Sequence, residues 1–197
     1  MGILSDAFRV QNSPTQLVRD VLIETGTSVG DSFAFALTQP YKELYTIEWN
    51  AEAHHKALAR FQHVLDFKCP CPCGFSRTAR LCHGSSPEML PRMMDGEKDT
   101  VFFLDAHWVG GETDDYDRRY PQSVLLLELE AIARVQWKKR PLVICDDAAM
   151  RFSNFWTRLG VNERWEKSQW PTVDDIMQLM GPQGYSLTVL NDQLWLW

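Results

Sequence analysis

Short apolar runs alternate with helix-patterned segments along almost the whole chain, and this alternation restricts the fold more than any other feature. Residues 20–25 (DVLIET), 43–48 (ELYTIE), 78–83 (TARLCH), 100–105 (TVFFLD) and 141–146 (PLVICD) read as strands. The intervening residues 31–37, 51–63 and 124–136 read as helices, with Asn50 as the cap of the second. Ser86-Pro87 opens a short helix that Pro91 cuts off. Residues 171–180 carry Thr172 as cap, with Asp174 and Asp175 in the first turn. Residues 185–190 and 193–197 flank Asn191-Asp192, a two-residue hairpin turn. Five strand–helix alternations closed by a hairpin predict an α/β fold. Its doubly wound, mostly parallel sheet is covered on both faces and ends in an antiparallel hairpin. The 197 residues suit one domain, read as 1–197 with a Cys-rich insertion near 67–77.

Sheets of this kind bind ligands outside the carboxyl ends of their strands, and the chemistry-bearing residues cluster at those ends. Glu24-Thr25-Gly26-Thr27-Ser28-Val29-Gly30-Asp31 leads from the first strand into a helix. Glycines there let the backbone approach a ligand, and the helix start offers free N–H groups. A tight structural turn is the competing reading, and the motif lacks the basic residue of a phosphate-cradling loop. Glu48 ends the second strand, where an acid accepts hydrogen bonds from both hydroxyls of a ribose; a solvated strand-end carboxylate is the alternative.

Asp105 ends the fourth strand, and Asp146-Asp147 end the fifth. Neighbouring parallel strands lie ~4.8 Å apart, so these carboxylates are expected to converge. Three such groups repel one another unless a proton or cation neutralises them, and Mg²⁺ or Mn²⁺ suits oxygen ligands. A helix cap and a water-facing Asp are the plainer reading. His107, two residues past Asp105, is a candidate general base, metal ligand or loop residue.

The order ETGTSVG, YTIEWN, a GSS turn, FFLDAHW, VICDDA and a terminal hairpin resembles a class I S-adenosylmethionine-dependent methyltransferase. The chain is most similar to the branch of macrocin-type sugar O-methyltransferases and cephalosporin-hydroxylase-like proteins, from about Leu17 to Trp197. The resemblance implies the Rossmann-like seven-stranded methyltransferase fold, with S-adenosylmethionine held by Glu24, Gly26, Thr27, Gly30, Glu48, Trp49 and Ser85. Gly26 and its neighbours would pass under the methionine part, and Glu48 would hold the ribose. Gly84-Ser85-Ser86 would lie by the adenine, with Ser85 standing where many relatives carry an acid. Asp105, Asp146 and Asp147 would hold Mg²⁺, which would bind and acidify an acceptor hydroxyl on a small molecule or sugar. Asp105 and His107 are the expected catalytic residues. A hydroxylase-like reaction on the same scaffold and a non-catalytic nucleoside-binding or interaction module are the competing functions. Three gathered acids speak against the latter. Closure of the site by homo-oligomerisation is a further expectation of the resemblance.

Cys69, Cys71, Cys73 and Cys82 are four thiols that could bind Zn²⁺, although their spacing is not that of a familiar knuckle. His54, His55 and His63 lack clean helical i,i+4 spacing and read as surface residues. Five Cys without a secretory signal point to a reducing, cytoplasmic compartment. The net charge of −6 and the lack of a long apolar run argue against nucleic-acid and membrane partners. Of eight Trp, Trp195 and Trp197 are expected in the core. Trp49, Trp108, Trp156, Trp165 and Trp170 lie where a cofactor or acceptor could be walled, with residues 108–120 and 151–170 as the acceptor wall.

Overall fold

Seven strands form one sheet in the order β3-β2-β1-β4-β5-β7-β6. They are β1 (Val21–Thr25), β2 (Glu43–Glu48), β3 (Thr78–His83), β4 (Thr100–Leu104), β5 (Leu142–Cys145), β6 (Leu187–Leu190) and β7 (Gln193–Leu196). The first five are parallel, and β7 runs antiparallel to both β5 and β6. The computed structural model describes residues 4–9, 15–65, 77–107, 118–148 and 167–197. The Zn²⁺ ligands expected at Cys69, Cys71 and Cys73 lie outside the described residues, as do Trp108, Trp156, Trp165 and most of both acceptor-wall segments.

Alternation along the strands sorts the core into two layers, as a sheet buried on both faces requires. Val21, Ile23, Phe102, Leu104, Val143 and Cys145 face α5 (Leu125–Ala133) and α6 (Val173–Met180) through Leu129, Ile132, Ile176 and Met180. Leu22, Leu44, Val101, Phe103, Leu142 and Ile144 face the opposite layer. That layer holds α1 (Leu4–Phe8), α2 (Asp31–Leu37) and α3 (Ala51–Phe61), packed through Leu4, Phe33, Ala57 and Phe61. A four-residue helix, α4 (Ser86–Met89), follows β3.

The caps read from the sequence are in place. Asn50 Oδ1 accepts from the N–H groups of Glu52 and Ala53, each at 2.9 Å. Thr172 and Asp175 form a reciprocal capping box at the start of α6. Asn191 and Asp192 both take positive φ, 49° and 63°, as a two-residue hairpin turn of matching twist demands. Trp195 is fully buried, but Trp197 is 40% exposed. The expectation of a core Trp197 fails because this residue stands past the end of β7.

Candidate active site

The turn after β1 is pressed between the ends of β2 and β4. Gly26 and Thr27 donate their N–H groups to Ile47 O, at 2.9 and 3.2 Å. Gly26 has φ +83°, and a Cβ there would stand 2.6 Å from Asp105 O. Only glycine takes this conformation at this approach without strain. Gly30, at φ +84°, starts α2, and a Cβ there would meet the Phe61 ring at 2.4 Å. Both glycines of the motif thus answer a backbone requirement, and the first sets the turn directly against the end of β4.

Glu48 closes the turn from the other side. Its Oε2 accepts the Ser28 N–H at 2.7 Å, and its Oε1 accepts the Asn50 N–H at 2.7 Å. Burial raises its pKa, opposed by backbone donors from Asn50, Ser28 and Trp49 and by His83. The carboxylate therefore stands at the end of β2 with its orientation fixed.

Glu24 lies deeper. It is buried, and Thr46 Oγ1 donates to its Oε2 at 2.5 Å. Thr46 Oγ1 also lies 2.5 Å from Thr27 Oγ1. Since the Thr46 hydrogen is committed to Glu24, Thr27 donates to Thr46. Desolvation lifts the Glu24 pKa to about 8, against the lowering bond from Thr46 and with added repulsion from Glu48. Sequence reasoning missed Thr46; the parallel pairing that sets Glu24 opposite Thr46 was the signal available.

Beside this cradle, Trp49 is 39% exposed just past β2, and its carbonyl accepts from His83 Nε2 at 3.0 Å. Ser85 is buried at the start of α4, and the Gly84 N–H donates to Glu48 O at 2.9 Å. Arg119 reaches over the Trp49 ring, 5.9 Å from its centroid, and pairs with Glu88 of α4 at 3.0 Å. Tyr120 donates to the same Glu88 at 3.1 Å. Residues 119 and 120, expected in the acceptor wall, thus lie against Trp49 and α4.

At the ends of β4 and β5, Asp105, His107 and Asp147 each place one donor atom within 4.8 Å of the others. His107 Nε2 is 2.9 Å from Asp147 Oδ2, and its Nδ1 is 3.5 Å from Asp105 Oδ1. The imidazole is only 4% exposed and packs edge-on against Trp170, with centroids 5.5 Å apart. Trp170 is itself anchored by its indole N–H on Gln122 Oε1 at 3.2 Å.

Of the expected metal set, the structure gathers Asp105 and Asp147 with His107, and Asp146 is not in that group among the described residues. Asp146 points into the sheet, where its Oδ1 accepts from Gln193 Nε2 of β7 at 3.1 Å. Burial and the neighbouring Asp147 raise its pKa to about 6. His107 takes its place in the cluster. The physical reason is local. Successive residues of an extended chain point to opposite sides, so the two acids diverge, and Asp147 itself adopts φ +52°. Gln193, a lone polar side chain in an otherwise apolar strand, was the signal for this partner.

These residues fit the two groups implied by the resemblance. The tight glycine turn sets its backbone beside the Glu48 carboxylate, and two carboxylates beside a buried imidazole form a donor set for a divalent cation. The residues expected at the two sites, Asp146 apart, stand side by side at the C-terminal ends of the strands.

Neither a protein-family profile nor a curated protein sequence matches the chain. Solved structures do share its fold. A protein assigned as a caffeoyl-CoA O-methyltransferase from Staphylococcus aureus matches with a TM-score of 0.54 at 20% identity, over 90% of this chain and 75% of that one. A precorrin-6y C5,15-methyltransferase from Geobacter metallireducens matches with a TM-score of 0.52 at 13% identity, over 98% and 81%. A protein assigned as a methyltransferase from Streptococcus mutans, solved with SAH, matches with a TM-score of 0.50 at 8% identity, over 90% and 87%. The common fold is the Rossmann-like methyltransferase sheet expected from the sequence. No helix among the described residues is long and apolar enough to cross a membrane.

Proposed function

We propose that this chain transfers a methyl group from S-adenosylmethionine to a hydroxyl of a small molecule or sugar, assisted by a divalent metal ion. One observation carries the reading. Gly26, the centre of the cofactor turn, packs against the backbone of Asp105, a member of the acidic cluster. A methyl donor lying over the turn and an acceptor held at the cluster would then be neighbours, which in-line transfer needs. The solved methyltransferases of the same fold support it, including the one carrying SAH.

The roles follow from position. Gly26 gives the methionine part access to the backbone. Glu48 accepts from the ribose hydroxyls through the lone pairs that Ser28 and Asn50 leave open. Trp49 and Ser85 border the adenine. When bound, S-adenosylmethionine supplies the electrophilic methyl on a sulfonium, and the metal ion, Mg²⁺ on the resemblance, supplies Lewis acidity. Asp105, His107 and Asp147 would hold that ion, and a carboxylate oxygen of Asp105 would receive the proton of the acceptor hydroxyl. Trp170 keeps His107 in place and limits water around it.

Calorimetric titration with S-adenosylmethionine, with and without a divalent ion, tests the reading. Saturable binding lost in Glu48→Ala supports it, and no binding at millimolar cofactor overturns it.

A further inference from the structure

We infer that His107 is a nitrogen ligand of the metal site, so that the site selects a cation accepting imidazole, such as Mn²⁺, Fe²⁺ or Co²⁺, over Mg²⁺. This rests on the reading that the cluster holds a metal, but not on methyl transfer.

His107 is the observation that separates this cluster from a mere gathering of acids. Its ring is 96% withdrawn from solvent and directed at two carboxylates. A neutral imidazole has one N–H and one lone pair, so one of its nitrogens faces a carboxylate oxygen with nothing to donate. Nδ1 has no hydrogen-bond partner among the described residues. A cation beside Nε2 resolves the conflict. The 2.9 Å between Nε2 and Asp147 Oδ2 is the spacing of adjacent ligands on one ion, roughly 3 Å for two bonds of ~2.1 Å at a right angle. The other ring nitrogen, Nδ1, then carries the N–H, 3.5 Å from Asp105 Oδ1.

The charges agree. Two carboxylates and a neutral imidazole balance one divalent ion, whereas a third carboxylate from Asp146 would leave the set anionic. Asp146 is instead engaged by Gln193. Mg²⁺ demands near-octahedral oxygen ligation, while imidazole suits the later first-row ions. The nitrogen in the set therefore shifts selectivity away from Mg²⁺.

The test uses the full chain, stripped of metal by chelation, with no cofactor present. Titration with MnCl₂ and with MgCl₂ is expected to give at least tenfold tighter binding of Mn²⁺. Pulsed electron paramagnetic resonance of the Mn²⁺ complex is expected to show coupling to a directly bound imidazole ¹⁴N. Both readouts need only the unmodified protein. His107→Asn and His107→Gln should abolish the coupling and the preference, whereas Asp146→Asn should change Mn²⁺ affinity less than threefold. Equal affinity for the two ions, absence of the ¹⁴N coupling, or equal losses in Asp146→Asn and Asp147→Asn would overturn the inference. So would the absence of metal binding, which makes His107 a bridge between two carboxylates; cofactor binding would then still stand. Metal binding without cofactor binding would overturn methyl transfer and leave the inference intact.

Discussion

Asp146 and Asp147 are adjacent in the chain and serve different neighbours: Asp146 Oδ1 takes a hydrogen bond from Gln193 at 3.1 Å, and Asp147 Oδ2 lies 2.9 Å from His107 Nε2. Asp147 takes a left-handed backbone, with φ +52°. Asn tolerates that conformation and β-branched residues do not. Asp147→Asn is expected to keep its thermal midpoint while weakening metal binding at least tenfold. Asp147→Val is expected to lose about 1–2 kcal/mol of stability as well. Denaturant unfolding and metal titration of both variants check this; equal stability of the two would refute the backbone argument.

The Gln193 side chain sits fully inside the sheet and supplies a donor to a buried acid. Replacing it by Leu removes that donor and is expected to cost about 1–3 kcal/mol in unfolding free energy. Because Asp146 lies outside the cluster, Mn²⁺ affinity should stay within threefold. A large loss of metal affinity at unchanged stability would place Asp146 back among the ligands.

Gly26→Ala sets a methyl group against Asp105 O and forces a non-glycine residue to φ +83°. The conformation alone costs about 1–2 kcal/mol, and relieving the clash moves the turn away from β4. Both stability and S-adenosylmethionine affinity should fall, the latter at least tenfold. Calorimetry on the folded variant decides it, since unchanged affinity would remove the turn from the cofactor site.

Glu24 provides a pH signature. Its folded-state pKa, about 8, lies above the ordinary value of 4.5, chiefly through burial. The folded protein therefore keeps a proton that the unfolded chain releases. The stability contribution is complete below pH ~4.5 and is lost as pH rises toward 8, by up to about 1.4 kcal/mol per pH unit. Asp146 and Glu48, whose pKa values are also raised, slope the same way. The readout is thus the difference between wild type and Glu24→Gln, which should flatten over this window. Parallel stability profiles from pH 5 to 8 would show that Glu24 is ionised in the folded state.

Trp49 is half out of the protein, so its removal should change stability by less than about 0.5 kcal/mol. If its ring stacks on the adenine, Trp49→Ala should weaken cofactor binding roughly five- to hundredfold. Fluorescence titration separates the outcomes, and unchanged affinity would leave the Trp49 ring a structural role beneath Arg119.

Much of the fold was legible in the chain. The strands of residues 78–83 and 43–48 appear with the limits their residues suggested, and the Asn50 and Thr172 caps begin the helices they were expected to begin. These signals are local: pleat alternation, the hydrogen-bonding reach of a capping side chain, and a turn that needs positive φ. Gly26 and Glu48 belong to the same class, since a strand end is visible as the point where an apolar run stops.

What the sequence determined by itself was the set of elements, their parallel arrangement and the stretch of backbone where chemistry would gather. Tertiary structure alone decided which side chains meet there. Thr46 reaches Glu24 across 22 positions, Gln193 claims Asp146 across 47, and His107 enters the acidic cluster in its stead. Alternation predicts direction only while the chain remains pleated. At Asp147 the backbone turns left-handed, and Trp197 stands past the last residue of β7, so the strand pattern did not set direction and burial there.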